Sequence, residues 1–106
     1  MSDYVRVASL SEVPAGGLHR VIVGYTLICL ANVDGDVYAI NDDCTHIGGS
    51  LSEGELEGCV VTCPVHLARF DVRDGRVLRG PARDDAETYL VRVEGDAIYV
   101  ALTLGS

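Results

Sequence analysis

Leu18-His19-Arg20-Val21-Ile22-Val23, Thr26-Leu27-Ile28-Cys29-Leu30-Ala31-Asn32-Val33 and Asp36-Val37-Tyr38-Ala39-Ile40 stand almost end to end, separated only by Gly24-Tyr25 and Asp34-Gly35. All three runs are rich in β-branched and aliphatic residues, and none carries a helical period of useful length. Asp-Gly between two such runs is a strong local signal for a two-residue hairpin. The segment therefore reads as consecutive strands, and it sets the fold class.

Reading outward from it, residues 4–8 alternate like a half-buried strand. Ser9-Leu10-Ser11-Glu12 follows with the spacing of a capping box, and Pro14 ends any helix after a single turn. On the other side, Glu55–Glu57 and Val60–Thr62 are short strands joined at Gly58-Cys59. Residues 69–72 and 76–78 flank Asp74-Gly75, a second hairpin signal, and Gly80-Pro81 makes a rigid turn. Strands at 88–93 and 97–102 are joined by Glu94-Gly95-Asp96. Many short strands with Gly-containing turns predict an antiparallel all-β protein. The expectation is one domain, residues 1–106: a β-sandwich or barrel base from 1–40 and 84–106, with a small β subdomain inserted at about 41–83.

A chain of 106 residues suffices for one modest core, burying roughly 65% of its unfolded surface. No stretch approaches the ~18 apolar residues of a membrane span. Met1-Ser2-Asp3-Tyr4 has neither a basic region nor an apolar segment, so no secretory signal is read and a cytoplasmic location is expected. In a reducing compartment, the four cysteines read as metal ligands rather than disulfides. A net charge of -8 argues against nucleic acid as a partner. It suits an encounter with a basic patch on another protein, and equally it suits solubility alone.

The chemistry gathers in Cys44-Thr45-His46 and Cys63-Pro64-Val65-His66. Each segment offers one thiolate and one imidazole, and four such ligands can hold a metal centre between two loop tips. Structural zinc sites more often begin with two cysteines two to four residues apart, but a zinc-binding interaction module stays open as an alternative. The even division between sulfur and nitrogen matches a [2Fe–2S] cluster with two Cys on one iron and two His on the other.

With Ile47-Gly48-Gly49 behind the first segment, and Arg69-Phe70-Asp71 and Gly80-Pro81-Ala82 downstream, the sequence resembles the Rieske-type ferredoxins of bacterial aromatic-ring-hydroxylating dioxygenase systems. The likeness covers essentially the whole chain. It implies the Rieske fold, in which the inserted subdomain binds one [2Fe–2S] cluster per chain. Cys44 and Cys63 would ligate the inner iron, His46 and His66 the outer. It implies a soluble, monomeric one-electron carrier, not itself an enzyme. Electrons would pass from a flavoprotein ferredoxin reductase to a terminal Rieske oxygenase in aromatic hydrocarbon catabolism. Gly48 and Gly49 would let backbone N–H groups approach the sulfides, and Pro81 would cover the cluster. The exit for the electron would be the edge formed by His46 and His66, ringed by Ile47, Leu67 and Pro81. The alternative within this resemblance is the small Rieske subunit of an assimilatory nitrite reductase, bound permanently to a large subunit.

The remaining residues narrow the reading. Cys29, in an apolar run, is expected to be a buried thiol, Cys59 a turn or core residue, and His19 a surface or strand residue. A terminal oxygenase needs a further mononuclear iron held by two more histidines and a carboxylate. The chain has three histidines in all, so only His19 is left and the chain is not the oxygenase. No Gly-rich dinucleotide motif is present, so it is not the flavin reductase either. Three departures set the sequence apart from related proteins. Gly49 and Val65 replace the disulfide-forming cysteines of the cytochrome bc-complex Rieske proteins. Ala68 and Phe70 replace their hydroxyl-bearing donors, which predicts a potential near the low end of the Rieske range, roughly -150 mV. Leu67 stands where the ferredoxin pattern has glycine, and is strained there if that position has positive φ.

Overall fold

The protein is described by a computed structural model for residues 4–43, 49–65, 67–80 and 85–101. In chain order its strands are β1 (Tyr4–Ser9), β2 (Leu18–Val23), β3 (Thr26–Val33), β4 (Asp36–Asn41), β5 (Glu55–Glu57), β6 (Val60–Thr62), β7 (Arg69–Asp71), β8 (Val77–Arg79), β9 (Thr88–Glu94) and β10 (Ala97–Ala101). They form two antiparallel sheets. The larger has the order β1-β10-β9-β4-β3-β2, and its edges β1 and β2 lie against each other, so it nearly closes. The smaller runs β5-β6-β7-β8. Among the described residues no helix is long and apolar enough to cross a membrane.

The turns explain the register. Asp34 and Gly35 have φ of +52° and +98°, the two left-handed residues of a type I′ turn, and Val33 pairs with Asp36. Asp tolerates that region better than most residues and glycine takes it freely, so Asp-Gly fixes the β3–β4 register. Three further two-residue hairpins place glycine first, at Gly24-Tyr25, Gly58-Cys59 and Gly95-Asp96.

β3 is the strand that both layers share. Ile28 and Leu30 point into the nearly closed sheet, with Val21, Val37, Ala39, Ile98 and Val100. Cys29 and Ala31 face the other way, into a second core with Ile40, Leu51, Val61, Phe70 and Val72 that cements the small sheet onto the large one. With both faces covered, β3 reads as a continuous apolar run rather than an alternating one.

The chain leaves the large sheet at Asn41 and returns at Glu87, and these two stalks are tied together: Asn41 N–H donates to the Glu87 carbonyl at 2.8 Å. The Asn41 amide also donates to the Tyr89 hydroxyl at 3.1 Å. Between the stalks, residues 85–87 seal against the β7–β8 loop. There Ala86 N–H reaches the Gly75 carbonyl at 2.7 Å, and Val77 N–H reaches the Asp85 carboxylate at 2.9 Å.

The hairpin signalled by Asp74-Gly75 forms, β7 pairing antiparallel with β8, but through a five-residue loop. Asp71 organises that corner, its N–H bonding the Arg76 carbonyl at 2.9 Å and its own carbonyl accepting from Gly75 at 2.7 Å. Its carboxylate accepts from Arg73 N–H at 2.9 Å, an Asx turn that ends β7 at Asp71 and moves β8 one residue later than read. A second 3₁₀ turn, Leu51–Glu53, was not anticipated, whereas the one at Leu10–Glu12 was. There Glu12 accepts from Ser9 N–H at 2.8 Å. The expected strand at 97–102 runs to Ala101, and Leu102 lies outside the described residues.

Candidate metal centre

Asp42 builds the base on either side of the first Cys/His segment, 44–49. Asp42 is fully buried. Its N–H donates to the Leu27 carbonyl at 2.9 Å, and its carbonyl accepts from Leu51 N–H at 2.7 Å. One carboxylate oxygen accepts from Ser52 N–H at 2.7 Å, and the other accepts from the Ser50 hydroxyl. A buried carboxylate is tolerable only when its oxygens are satisfied, and here they are. Asp43 and Ser50 form an antiparallel bridge, so the two ends of the segment are held side by side.

The second segment is a tight excursion between β6 and β7. Thr62 pairs with Arg69, and one step further Cys63 N–H donates to the Ala68 carbonyl at 2.7 Å, closing the loop. The turn needs a left-handed residue, and Leu67 supplies it with φ of +63°. Cys63 is buried at the base of this loop.

The two bases touch. A Cβ on Gly49 would lie 2.6 Å from the Cys63 sulfur and 3.2 Å from two carbons of Val65, so only a bare backbone fits between the loops there. That cradle, with a buried soft donor at its floor, suits a sulfur-rich inorganic centre whose acceptors need close backbone N–H groups.

Of the four expected ligands, Cys63 alone belongs to the described residues; Cys44, His46 and His66 lie outside them, as do Ile47, Gly48 and Pro81. Among the described residues no three His, Cys, Asp or Glu side chains gather as a metal site. Cys59 occupies the β5–β6 turn, at the opposite end of β6 from Cys63, about 13 Å away along extended chain. Its sulfur lies 3.9 Å from an Asp71 carboxylate oxygen. Cys29 is fully buried on β3, and burial, reinforced by the charge of Asp42, pushes its thiol well above the usual range. Buried in apolar surroundings, it packs as a small hydrophobe. His19 is a half-buried residue of β2, opposite Leu30. Ala68 and Phe70 are both buried, Phe70 as the largest side chain of the core between the sheets.

Sequence reasoning did not find Asp42, because Asn-Asp-Asp ahead of a cysteine reads as an ordinary polar loop. Only the distant serines Ser50 and Ser52 reveal its role.

Comparisons with known proteins bear on the family and the fold. The profile of the Rieske [2Fe-2S] domain matches residues 3–93. The ferredoxin component of the naphthalene 1,2-dioxygenase system of Pseudomonas aeruginosa is 36% identical over 100 residues, covering 94% of this chain and 96% of that protein. The ferredoxin subunit of the 3-phenylpropionate/cinnamic acid dioxygenase of Escherichia coli (strain K12) is 44% identical over 94 residues, 88% of each chain. In a solved complex of reduced oxygenase and oxidized ferredoxin of carbazole 1,9a-dioxygenase, one chain superimposes with a TM-score of 0.88 at 33% identity, covering 95% of this chain and 94% of its own.

Proposed function

Since the chain belongs to the Rieske [2Fe-2S] domain family, we propose that it carries single electrons from a ferredoxin reductase to the terminal oxygenase of an aromatic-ring-hydroxylating dioxygenase system. It would act as a monomeric carrier in the reducing cytoplasm, not as an enzyme in its own right. The oxygenase as acceptor is supported by the carbazole dioxygenase complex, in which a chain of this fold accompanies an oxygenase. The single observation that supports the site is the closeness of Gly49 to Cys63, where a Cβ would stand 2.6 Å from the sulfur, which brings the bases of the two proposed ligand loops together.

Cys44, His46, Cys63 and His66 would hold the cluster. When bound, it supplies a one-electron couple whose potential is raised by two neutral imidazoles in place of two thiolates. The protein sets the rest. Ala68 and Phe70 offer no hydroxyl toward the centre, so backbone N–H groups are its donors there and the potential stays near the low end of the Rieske range, roughly -150 mV. Asp42 and the Cys63–Ala68 hydrogen bond keep the loop bases in place while the charge changes. The division into a base of 1–40 and 84–106 and a cluster-binding unit of 41–83 fits the two sheets and the Asn41–Glu87 tie between the stalks.

The test is ligand replacement. Cys44→Ser and His66→Ala should yield colourless, iron-poor protein, while Cys59→Ser keeps its iron and its visible absorption. Loss of iron from Cys59→Ser with retention in Cys63→Ser would show that the ligand set is wrong.

A further inference from the structure

The rim beside the second ligand loop holds two residue choices that the fold does not call for: a leucine where the turn needs only a left-handed residue, and two arginines facing each other. Leu67 adopts φ of +63° while its side chain is 58% exposed, so it bears the strain of the left-handed region and buries little in return. Val65, 38% exposed, lies on the same loop. Next to them, Arg69 pairs across the ladder with Arg79, a like-charge pair that weakens a sheet. The pairing results from a bulge. Phe70 opposes Val77, yet Arg69 opposes Arg79, so Leu78 is the extra residue; without it Arg69 would face Leu78. Leu78 is 50% exposed and both arginines are exposed. Among the described residues neither arginine forms an ion pair, whereas Arg73 is held by Asp71 at 2.8 Å.

These residues sit at the strand ends nearest the site. Arg69 begins β7 directly after the second loop, and Arg79 ends β8 directly before Gly80-Pro81. The same row continues through Thr62 to Glu55 at the opposite edge of the small sheet. A chain of net charge -8 thus turns a positive, aliphatic corner outward at the site.

We propose that Val65, Leu67, Leu78, Arg69 and Arg79 form the docking face for a protein redox partner whose contact surface sets carboxylates around an apolar recess. The proposal rests on the carrier reading above. Leu67 enters the recess, and the two guanidiniums take the carboxylates in bidentate fashion, for which arginine is suited and lysine is not. An apolar centre with an arginine rim is the usual anatomy of a small, dissociable interface.

Local charge at this corner is measurable with small oxidants. Reduced holo-protein gives one electron per chain to ferricyanide, an anion that becomes ferrocyanide, or to tris(phenanthroline)cobalt(III), a cation that becomes cobalt(II). In the wild type the ferricyanide rate falls as salt rises, the sign of attraction, despite the negative net charge. Arg69→Glu combined with Arg79→Glu slows ferricyanide roughly tenfold at low salt and speeds the cobalt complex. Leu67→Gly leaves the Tm unchanged or raised, since the strain is relieved and little burial is lost. A ferricyanide rate that rises with salt, rates unmoved by the double variant, or a lower Tm in Leu67→Gly overturns the proposal alone. So does concentration-dependent dimerisation in sedimentation that Leu67→Asp abolishes, which assigns the face to a second copy of the chain. Protein that purifies without iron and reduces no ferricyanide overturns the carrier reading, and this proposal with it.

Discussion

A methyl group at Gly49 has nowhere to go: its carbon would stand 2.6 Å from the Cys63 sulfur, well inside contact distance. Gly49→Ala should therefore push the two loop bases apart, at a cost of about 1–3 kcal/mol for overpacking. The expected result is protein that still folds but has less iron per chain and a lower Tm, measured by iron content and thermal melting. Asp71 gives a pH prediction. The Arg73 guanidinium hydrogen-bonded to it holds its carboxyl below the usual carboxylate range. Its folded value is depressed, so its stabilisation is complete above the ordinary carboxylate value of about 3.9 and is lost as pH falls through the lower folded value. Arg73 is mostly exposed, which keeps the effect small. Tm measured from pH 5 down to pH 2 should fall more steeply in the wild type than in Asp71→Asn.

At the scale of elements, hydrogen bonds tie down the described residues at the bases of both Cys/His segments. Asp42→Ala would strand the Ser52 N–H and leave the Ser50 hydroxyl only its hydrogen bond with the Ser52 hydroxyl at 3.2 Å, an expected loss of about 1–3 kcal/mol. Thermal melting should show that loss, and the cluster should leave the variant faster, followed by bleaching of its visible absorption in the presence of a chelator. The strands themselves were legible because Asp34-Gly35 and the other Gly-containing turns fix register locally, by backbone sterics that a sequence states outright. The length of the β7–β8 connection was not. The hairpin at Asp74-Gly75 forms, but its loop length is set by the Asp71 carboxylate turning back on Arg73. The bulge at Leu78 was likewise invisible, since nothing in Val77-Leu78-Arg79 marks which residue will go unpaired.

Across the whole molecule, the all-β class and the small sheet set between β4 and β9 could be read from the chain, because period and turn chemistry are local. How the sheets join could not be read, because it depends on which face of β3 meets which neighbour. The long apolar run of β3 hinted at the answer: two faces, both covered, one inside the nearly closed sheet and one against Leu51, Val61 and Phe70. That placement turns β3 into a clock. The peptide N–H groups of Cys29, Leu30 and Ala31 lie in ladders with β2 and β4 and beneath both cores, so no partial opening reaches them. In deuterated water they should exchange only when the entire chain comes apart, and hence at the pace of global unfolding. Any ligand held by the native state alone slows that pace by mass action. Proton signals of these three amides should thus outlast all others in the spectrum, and last longer in iron-loaded protein than in protein stripped of metal. The lifetime ratio, read far from the loops themselves, measures how tightly the native state grips its inorganic cargo.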